Sequence, residues 1–403
     1  MNEKRARLSS HRLIPVIALA AIFLAVTPGA RANGPAAGCS MTASNCRDNL
    51  RPARLTYIDM VTPSVGWGLS AHWVLRTVDG GTNWPPFLHL ASGPWVLATA
   101  DGSTDAWVAA IVPAIAGRSR EVISVHATFN SGVHWHRFGP FVLAGAMQGG
   151  SVSMLQFLNS RLGWMEITGS PAAGSVGNEL LRTYDGGKHW NRIEYNYLST
   201  ESRHAVPGCN YVAQMSFATR NNGWATGICG GLPSSRRVYR TTNGGRTWFP
   251  KRLILAGPTR CPTSAPCSAT FESMPPTFSG VDGILPVSAF PPSRFVLFHT
   301  SDGGKIWNSL TPIKGNSNQM APRVTTFGLD SNHLWVLIHG DLFWTGNGGA
   351  SWVKLAHRPG LGGNPQIQFA SPTDGFAVKS GHPDAIWVTS DAGRTWQKRN
   401  TVL

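Results

Sequence analysis

The chain has 403 residues, with 35 Lys and Arg against 20 Asp and Glu, a formal net charge of +15 and only 14% charged residues. So few charges leave a surface built on Ser, Thr, Asn and Gly, and the basic excess favours acidic partners. Beyond the N-terminal 32 residues no stretch approaches 18 uninterrupted apolar residues, so the sequence offers no helical membrane span.

Lys4, Arg5 and Arg7 precede an apolar stretch, Leu13–Val26, and Ala30-Arg31-Ala32 follows as a small-x-small cleavage signal. Residues 1–32 read as a secretory signal peptide. Cys39, after Ala36-Ala37-Gly38, leaves a lipidation site open as an alternative. Residues 33–53 read as a linker that can reinforce a seam in the following domain.

From there the chain spells one box seven times: Thr-x-Asp/Asn-x-Gly-x-x-Trp, at Thr77–Trp84, Thr128–Trp135, Thr183–Trp190, Thr241–Trp248, Thr300–Trp307, Thr345–Trp352 and Thr389–Trp396. Successive box tryptophans lie 51, 55, 58, 59, 45 and 44 residues apart. A period of this size marks a propeller or solenoid. Each box reads as a tight turn between two strands. The side chain of Asp79, Asn130, Asp185, Asn243, Asp302, Asn347 or Asp391 is expected to accept hydrogen bonds from N–H groups two residues on. The glycine two positions later suits a positive φ. The tryptophan (Trp84, Trp135, Trp190, Trp248, Trp307, Trp352, Trp396) re-enters the sheet and buries its ring. Asn in three boxes keeps the acceptor and drops the charge, so these residues read as structural, neither catalytic nor metal-binding.

A second repeat precedes the box: an aromatic residue, then Gly-Trp, as in Phe157…Gly163-Trp164 and Phe217…Gly223-Trp224. Weaker versions are Ala106-Trp107 and the stretch around Gly283. Each unit therefore reads as four strands: A with the aromatic, B from the Gly-Trp, C into the box and D out of it. Pro85-Pro86 and Pro250 fit D as an outer edge strand. Residues 54–403 are expected to form an all-β, seven-bladed propeller of four-stranded antiparallel blades. The last blade is complete in itself, and the ring closes by packing of blade 7 on blade 1.

All six cysteines follow the signal segment, which permits disulfides. Cys209 opens strand A of unit 4 and Cys229 ends strand B, so the blade scheme pairs them. Cys261–Cys267 and Cys39–Cys46 are then local loops, and free buried thiols are the alternative. Between Ser202 and Phe271 there is no acidic residue but nine basic ones. Arg203, Arg236, Arg237 and Arg260, with Lys251-Arg252 beside them, fall in or next to long loops at the end away from the boxes. They are the candidate binding patch for an acidic ligand. Arg220 and Arg246 fall at the box end and are expected to matter less.

The box resembles the Asp-box, or bacterial neuraminidase repeat. The paired pattern, aromatic…Gly-Trp followed by Leu-Arg-Thr-x-Asp-Gly-Gly-x-x-Trp, is most similar to the photosystem II assembly-factor family of exported propellers. That resemblance covers residues 54–403. It implies a non-enzymatic ring with Asp-box turns that binds or escorts other proteins, without a cofactor. The basic block, read from the sequence itself, would suit an acidic protein, an anionic glycan or a membrane surface as partner. Export disfavours nucleic acid, and a monomer is expected. The alternative is a glycoside hydrolase on the same fold, sialidase-like or xyloglucanase-like. Against it, the Arg-Ile-Pro opening is absent at Leu50-Arg51-Pro52, Glu194 and Tyr195 point to opposite faces of a strand, and no pair of carboxylates stands out. A structural surface-layer domain is a third class.

Overall fold

The computed structural model describes residues 52–403 apart from loop segments, the longest of which are 198–210, 229–235, 252–269 and 315–323. The signal segment, all six cysteines, and Arg203, Arg252 and Arg260 lie outside the described residues. Leu50–Leu403 form one compact unit.

Seven antiparallel sheets follow one another along the chain, each running A-B-C-D in sequence order. Blade 1 is Tyr57–Met60, Gly66–Leu69, Trp73–Thr77 and Pro86–His89. Blade 2 is Val96–Thr99, Ala106–Pro113, Glu121–Thr128 and His136–Val142. Blade 3 is Ser151–Phe157, Gly163–Thr168, Asn178–Thr183 and Asn191–Asn196. Blade 4 is Tyr211–Phe217, Gly223–Ile228, Arg236–Thr241 and Phe249–Lys251. Blade 5 has Asp282–Phe290 and Arg294–Thr300 at its centre. Its edges are split: Thr270–Ser273 and Thr277–Ser279 both pair with the former strand, and Asn308–Ser309 and Ile313–Lys314 both pair with the latter. Blade 6 is Val324–Gly328, Leu334–Ile338, Asp341–Thr345 and Val353–His357. Blade 7 is Gln366–Phe369, Gly375–Val378, Ala385–Thr389 and Gln397–Asn400. The one helical turn among the described residues is Gly145–Met147. The chain is thus an all-β seven-bladed propeller.

The B strands have neighbours on both faces, and most of their positions are apolar, with Glu166 and Thr226 among the exceptions. Gly66–Leu69, Leu334–Ile338 and Gly375–Val378 are buried at every position. The D strands form the outer rim and are largely exposed, as in His136–Val142 and Phe249–Lys251. A proline costs no ladder bond on such an edge, which is where Pro86 and Pro250 sit.

Adjacent blades are joined by an aromatic sandwich. The B-strand tryptophan of one blade stacks on the A-strand phenylalanine of the next: Trp107 on Phe157 (3.9 Å between centroids), Trp164 on Phe217 (4.1 Å) and Trp335 on Phe369 (3.6 Å). The box tryptophan of the second blade meets that same phenylalanine edge-on, as Trp190, Trp248 and Trp396 do. The buried indole N–H donates to the next box: Trp107 to Gly186 O, Trp164 to Gly244 O and Trp335 to Ala392 O.

Every box makes the same turn. The threonine hydroxyl donates to Oδ1 of the Asp or Asn at 2.7–3.0 Å. It accepts the glycine N–H at 2.9–3.0 Å. The Oδ1 accepts the N–H four residues on at 2.9–3.0 Å, not two residues on, because two left-handed residues intervene. The glycine has φ between +77° and +100°. The residue before it is also left-handed, even where it is Ser131 (φ 61°) or Ala392 (φ 64°). That second position faces inward: its N–H donates to the A–B turn of its own blade at 2.8–3.1 Å, in all seven units. The bond offsets part of the cost of a β-carbon in the left-handed region.

The expectation that every box tryptophan is buried holds for Trp84, Trp248 and Trp307 only. Trp135, Trp190, Trp352 and Trp396 are half-buried.

Blades 7 and 1 close the ring without exchanging a strand. The Gln366 side chain accepts the Ile58 N–H (3.1 Å) and donates to Ile58 O (2.7 Å). Gln368 accepts the Met60 N–H (2.7 Å) and donates to Asp59 Oδ1 (2.8 Å). At the chain end, Val402 bridges to Pro52 and to Asn83, and Arg399 donates to Gly80 O (2.5 Å).

Candidate functional site

The residues of the candidate patch that are described converge at one end of blade 4. Arg236 and Arg237 open strand C, in register with Ile228 and Gly227. Lys251, which is exposed, ends strand D opposite Val238, the residue after Arg237. This is the end of the blade away from its box, as the loop assignment requires. Tyr211 stands opposite Ile228, while the expected Cys209–Cys229 pairing lies outside the described residues.

Arg220 and Arg246 stand at the opposite end, in the A–B turn and the box of blade 4. They belong to a second cationic cluster. Its buried member is Arg182, 1% exposed, on strand C of blade 3. Its guanidinium lies over Trp164 (4.8 Å) and Tyr184 (4.6 Å) and donates to Arg220 O (2.7 Å) and Gly244 O (3.5 Å). The Arg220 guanidinium lies over the same Tyr184 ring (5.2 Å). Burial lowers the Arg182 pKa, and the nearby Arg220 and Arg246 add to that effect against the tyrosine. Cross-strand Arg-on-Trp pairs recur at Arg76–Trp67 and Arg240–Trp224, so the stacking is a device of the repeat.

The box carboxylates are occupied by their own turns. Asp391 shows the consequence: burial opposes ionisation, yet hydrogen bonds from Thr395, Thr389 and the Arg394 backbone hold its pKa at about 2. A carboxylate so engaged is a poor general acid at neutral pH.

Sequence reasoning weighed only Glu194 and missed that three glutamates of blade 3 are buried. Glu179 (2% exposed) faces blade 2, pairs with Arg192 and accepts from the Tyr197 hydroxyl (3.2 Å). Glu166 (1%) and Glu194 (0%) flank Leu180 on the other face, packed towards Met215 and Tyr239 of blade 4. Burial pushes the Glu166 carboxyl up to about 8, so it is mostly neutral at pH 7. The only signal for this pair is a carboxylate in mid-strand at positions that alternate inward. Glu194 and Tyr195 do fall on opposite faces, in register with Leu180 and Glu179. Elsewhere, burial and then Arg137 lower the His126 pKa to about 4. Among the described residues no group of three or more His, Cys, Asp or Glu is arranged to hold a metal ion.

Residues 292–402 match the family described as photosynthesis system II assembly factor YCF48. No curated protein matches the chain. Among solved structures, YCF48 bound to D1 peptide is 13% identical, with TM-score 0.49 over 87% of this chain and 92% of that one. The Cps50 (Swd1) propeller domain of Myceliophteria thermophila is 9% identical, with TM-score 0.50 over 85% and 98%. The GH74 xyloglucanase of Xanthomonas campestris is 12% identical, with TM-score 0.34 over 85% and 55%. The propeller fold is thus shared with the Cps50 domain, and residues 292–402 are similar to the YCF48 family.

Proposed function

We propose that this YCF48-like propeller is an exported, non-enzymatic ring that binds and escorts a protein through an acidic segment. The segment docks at the loop end of blades 4 and 5. The observation that carries the reading is the meeting of Arg236, Arg237 and Lys251 at one end of blade 4, in a stretch without an acidic residue between Ser202 and Phe271. The likeness of residues 292–402 to an assembly-factor family supports a protein as the partner. The state of the carboxylates supports a ring without chemistry: the box aspartates are bound up in turns, and Glu166, Glu179 and Glu194 are enclosed between blades. A glycoside hydrolase needs two carboxyl groups open to a cleft.

The test is capture of partners from the native envelope fraction. Replacing Arg203, Arg236, Arg237 and Arg260 with Ser is expected to leave the melting temperature nearly unchanged and to abolish salt-sensitive capture. Capture that survives the quadruple change places the site elsewhere. Turnover of an aryl glycoside that is lost in Glu166→Gln would instead favour the hydrolase.

A further inference from the structure

The box end of the ring carries a surface that protein binding at the other end does not use. We propose that the box-turn face over blades 3 to 5 docks onto an anionic lipid bilayer. The turns of this face lie side by side, since each box is bonded to the A–B turn of its own blade. Neighbouring blades are tied at the same level by Arg182 to Arg220 O and by Arg240 to Gly303 O.

Two properties of this sector point to a membrane. The first is charge. Arg161, Lys188, Arg220, Arg246 and Lys305 are all exposed on these turns, and none is within ion-pair distance of a carboxylate among the described residues, though Lys305 lies near enough to Asp302 to favour its ionised form. Three acids share these turns: Asp185, which accepts from backbone N–H groups, the box threonine and His189; Asp302, whose Oδ1 accepts from backbone N–H groups and the box threonine; and Asp282, which follows Val281. The A–B turns of blades 3 and 4 carry Arg161 and Arg220, whereas those of blades 5, 6 and 7 carry Asp282, Asp330 and Asp374, so the cationic charge is concentrated on blades 3 and 4.

The second property is a pair of apolar tips. Val281 and Ile306 are 60% and 63% exposed. They are brought together at the tip of blade 5 by the Gly303 N–H bond to Val281 O (2.8 Å). Lys305 sits beside Ile306. Exposed aliphatics next to a sector whose cations, Arg161, Lys188, Arg220 and Arg246, come from blades 3 and 4 match the boundary between acyl chains and anionic headgroups. An acidic protein segment would use the charges, but it would gain less from the two exposed aliphatic side chains.

The test uses the full chain with vesicles of phosphatidylcholine containing about 30 mol% phosphatidylglycerol, and with pure phosphatidylcholine vesicles as control. Co-sedimentation is expected with the anionic vesicles only. Each cation near such a surface contributes about fivefold. The variant Lys188→Ser/Arg220→Ser/Arg246→Ser/Lys305→Ser is therefore expected to bind at least 30-fold more weakly. The variant Val281→Ser/Ile306→Ser is expected to keep part of its low-salt binding and to lose about tenfold at about 0.5 M salt, where charge is screened. Thermal melts of both variants, expected to match the parent, separate loss of binding from loss of fold. No binding to anionic vesicles overturns the proposal. So does binding that survives the quadruple change, or binding lost only in the Arg203/Arg236/Arg237/Arg260 variant. Capture of an acidic soluble protein by this face without vesicle binding also overturns it, and leaves the loop-end reading to its own test.

Discussion

The two tryptophans of a repeat make a useful contrast. The box tryptophan occurs in all seven units, yet four of the seven are only half-buried. The B-strand tryptophan occurs in five, with Ile284 and Phe376 in its place in blades 5 and 7. Trp67, Trp107, Trp164, Trp224 and Trp335 are nevertheless 0–1% exposed. Repetition here tracks the turn, which tolerates little variation, while burial tracks the interface between blades, where any ring or branched chain of suitable volume packs. The most repeated residue is therefore not the one that contributes most to stability.

Blade 3 offers the sharpest test, because it holds one of each kind. Trp164 stacks on Phe217, donates to Gly244 O and lies under Arg182. Trp164→Ala is expected to cost about 4–5 kcal/mol. Trp190 meets Phe157 edge-on at the outer rim. Trp190→Ala is expected to cost about 2 kcal/mol, since less of the ring leaves water. Urea titration of the two variants decides, and equal costs or the reverse order would break the contrast.

What the sequence made legible follows the same division. The box glycines and their threonines prescribe local geometry, and local geometry can be read from a few adjacent residues. Strand order and the outer prolines followed from the repeat frame. The stacking of Trp164 on Phe217, 53 positions away, depends on how one blade sits on the next, and no local pattern encodes that. The buried glutamates were invisible for the same reason. Glu166 and Glu194 look like ordinary strand residues until blade 4 covers them.

That covered face gives the next effect. Glu166 has a raised pKa in the fold, about 8, against an ordinary carboxylate value when unfolded. Between those values the unfolded chain has lost the proton that the folded chain keeps, so stability falls as pH rises from about 4.5 to about 8 and then levels off. Glu166→Gln is expected to remove that slope, on the order of a few kcal/mol across the window. Denaturation midpoints at a series of pH values would show it, and a variant with the parent's pH profile would place the titrating group elsewhere.

A smaller effect is expected at the seam. Blades 3 and 4 share one glutamine staple, Gln156 on the Phe217 backbone, whereas blades 7 and 1 share two. If the seam depends on its staples, Gln366→Ala/Gln368→Ala should cost about 2 kcal/mol and raise hydrogen exchange at Ile58 and Met60 first. Gln156→Ala should cost about half as much, because the Trp164–Phe217 stack remains. Equal costs would mean that the seam packs as well as any other interface.

The smallest effect is expected inside the box itself, and it tests why three boxes use Asn. The turn needs an acceptor for the threonine hydroxyl and for the N–H four residues on, and both Asp391 and Asn347 supply it at nearly the same distances. Near pH 7, Asp391→Asn is therefore expected to change stability by no more than about 0.5 kcal/mol. The two side chains differ at low pH. The folded pKa of Asp391, about 2, lies below that of an unfolded aspartate, so its stabilisation is present above the unfolded value and lost as pH falls towards 2. Asn has no proton to gain. Acid titration should show the parent losing stability between about pH 4 and pH 2 more steeply than Asp391→Asn. Matching acid limbs would mean that the charge of the box is irrelevant even where it is most strongly held. A large loss at pH 7 would mean that the carboxylate does something in blade 7 that the amide of blade 6 does not.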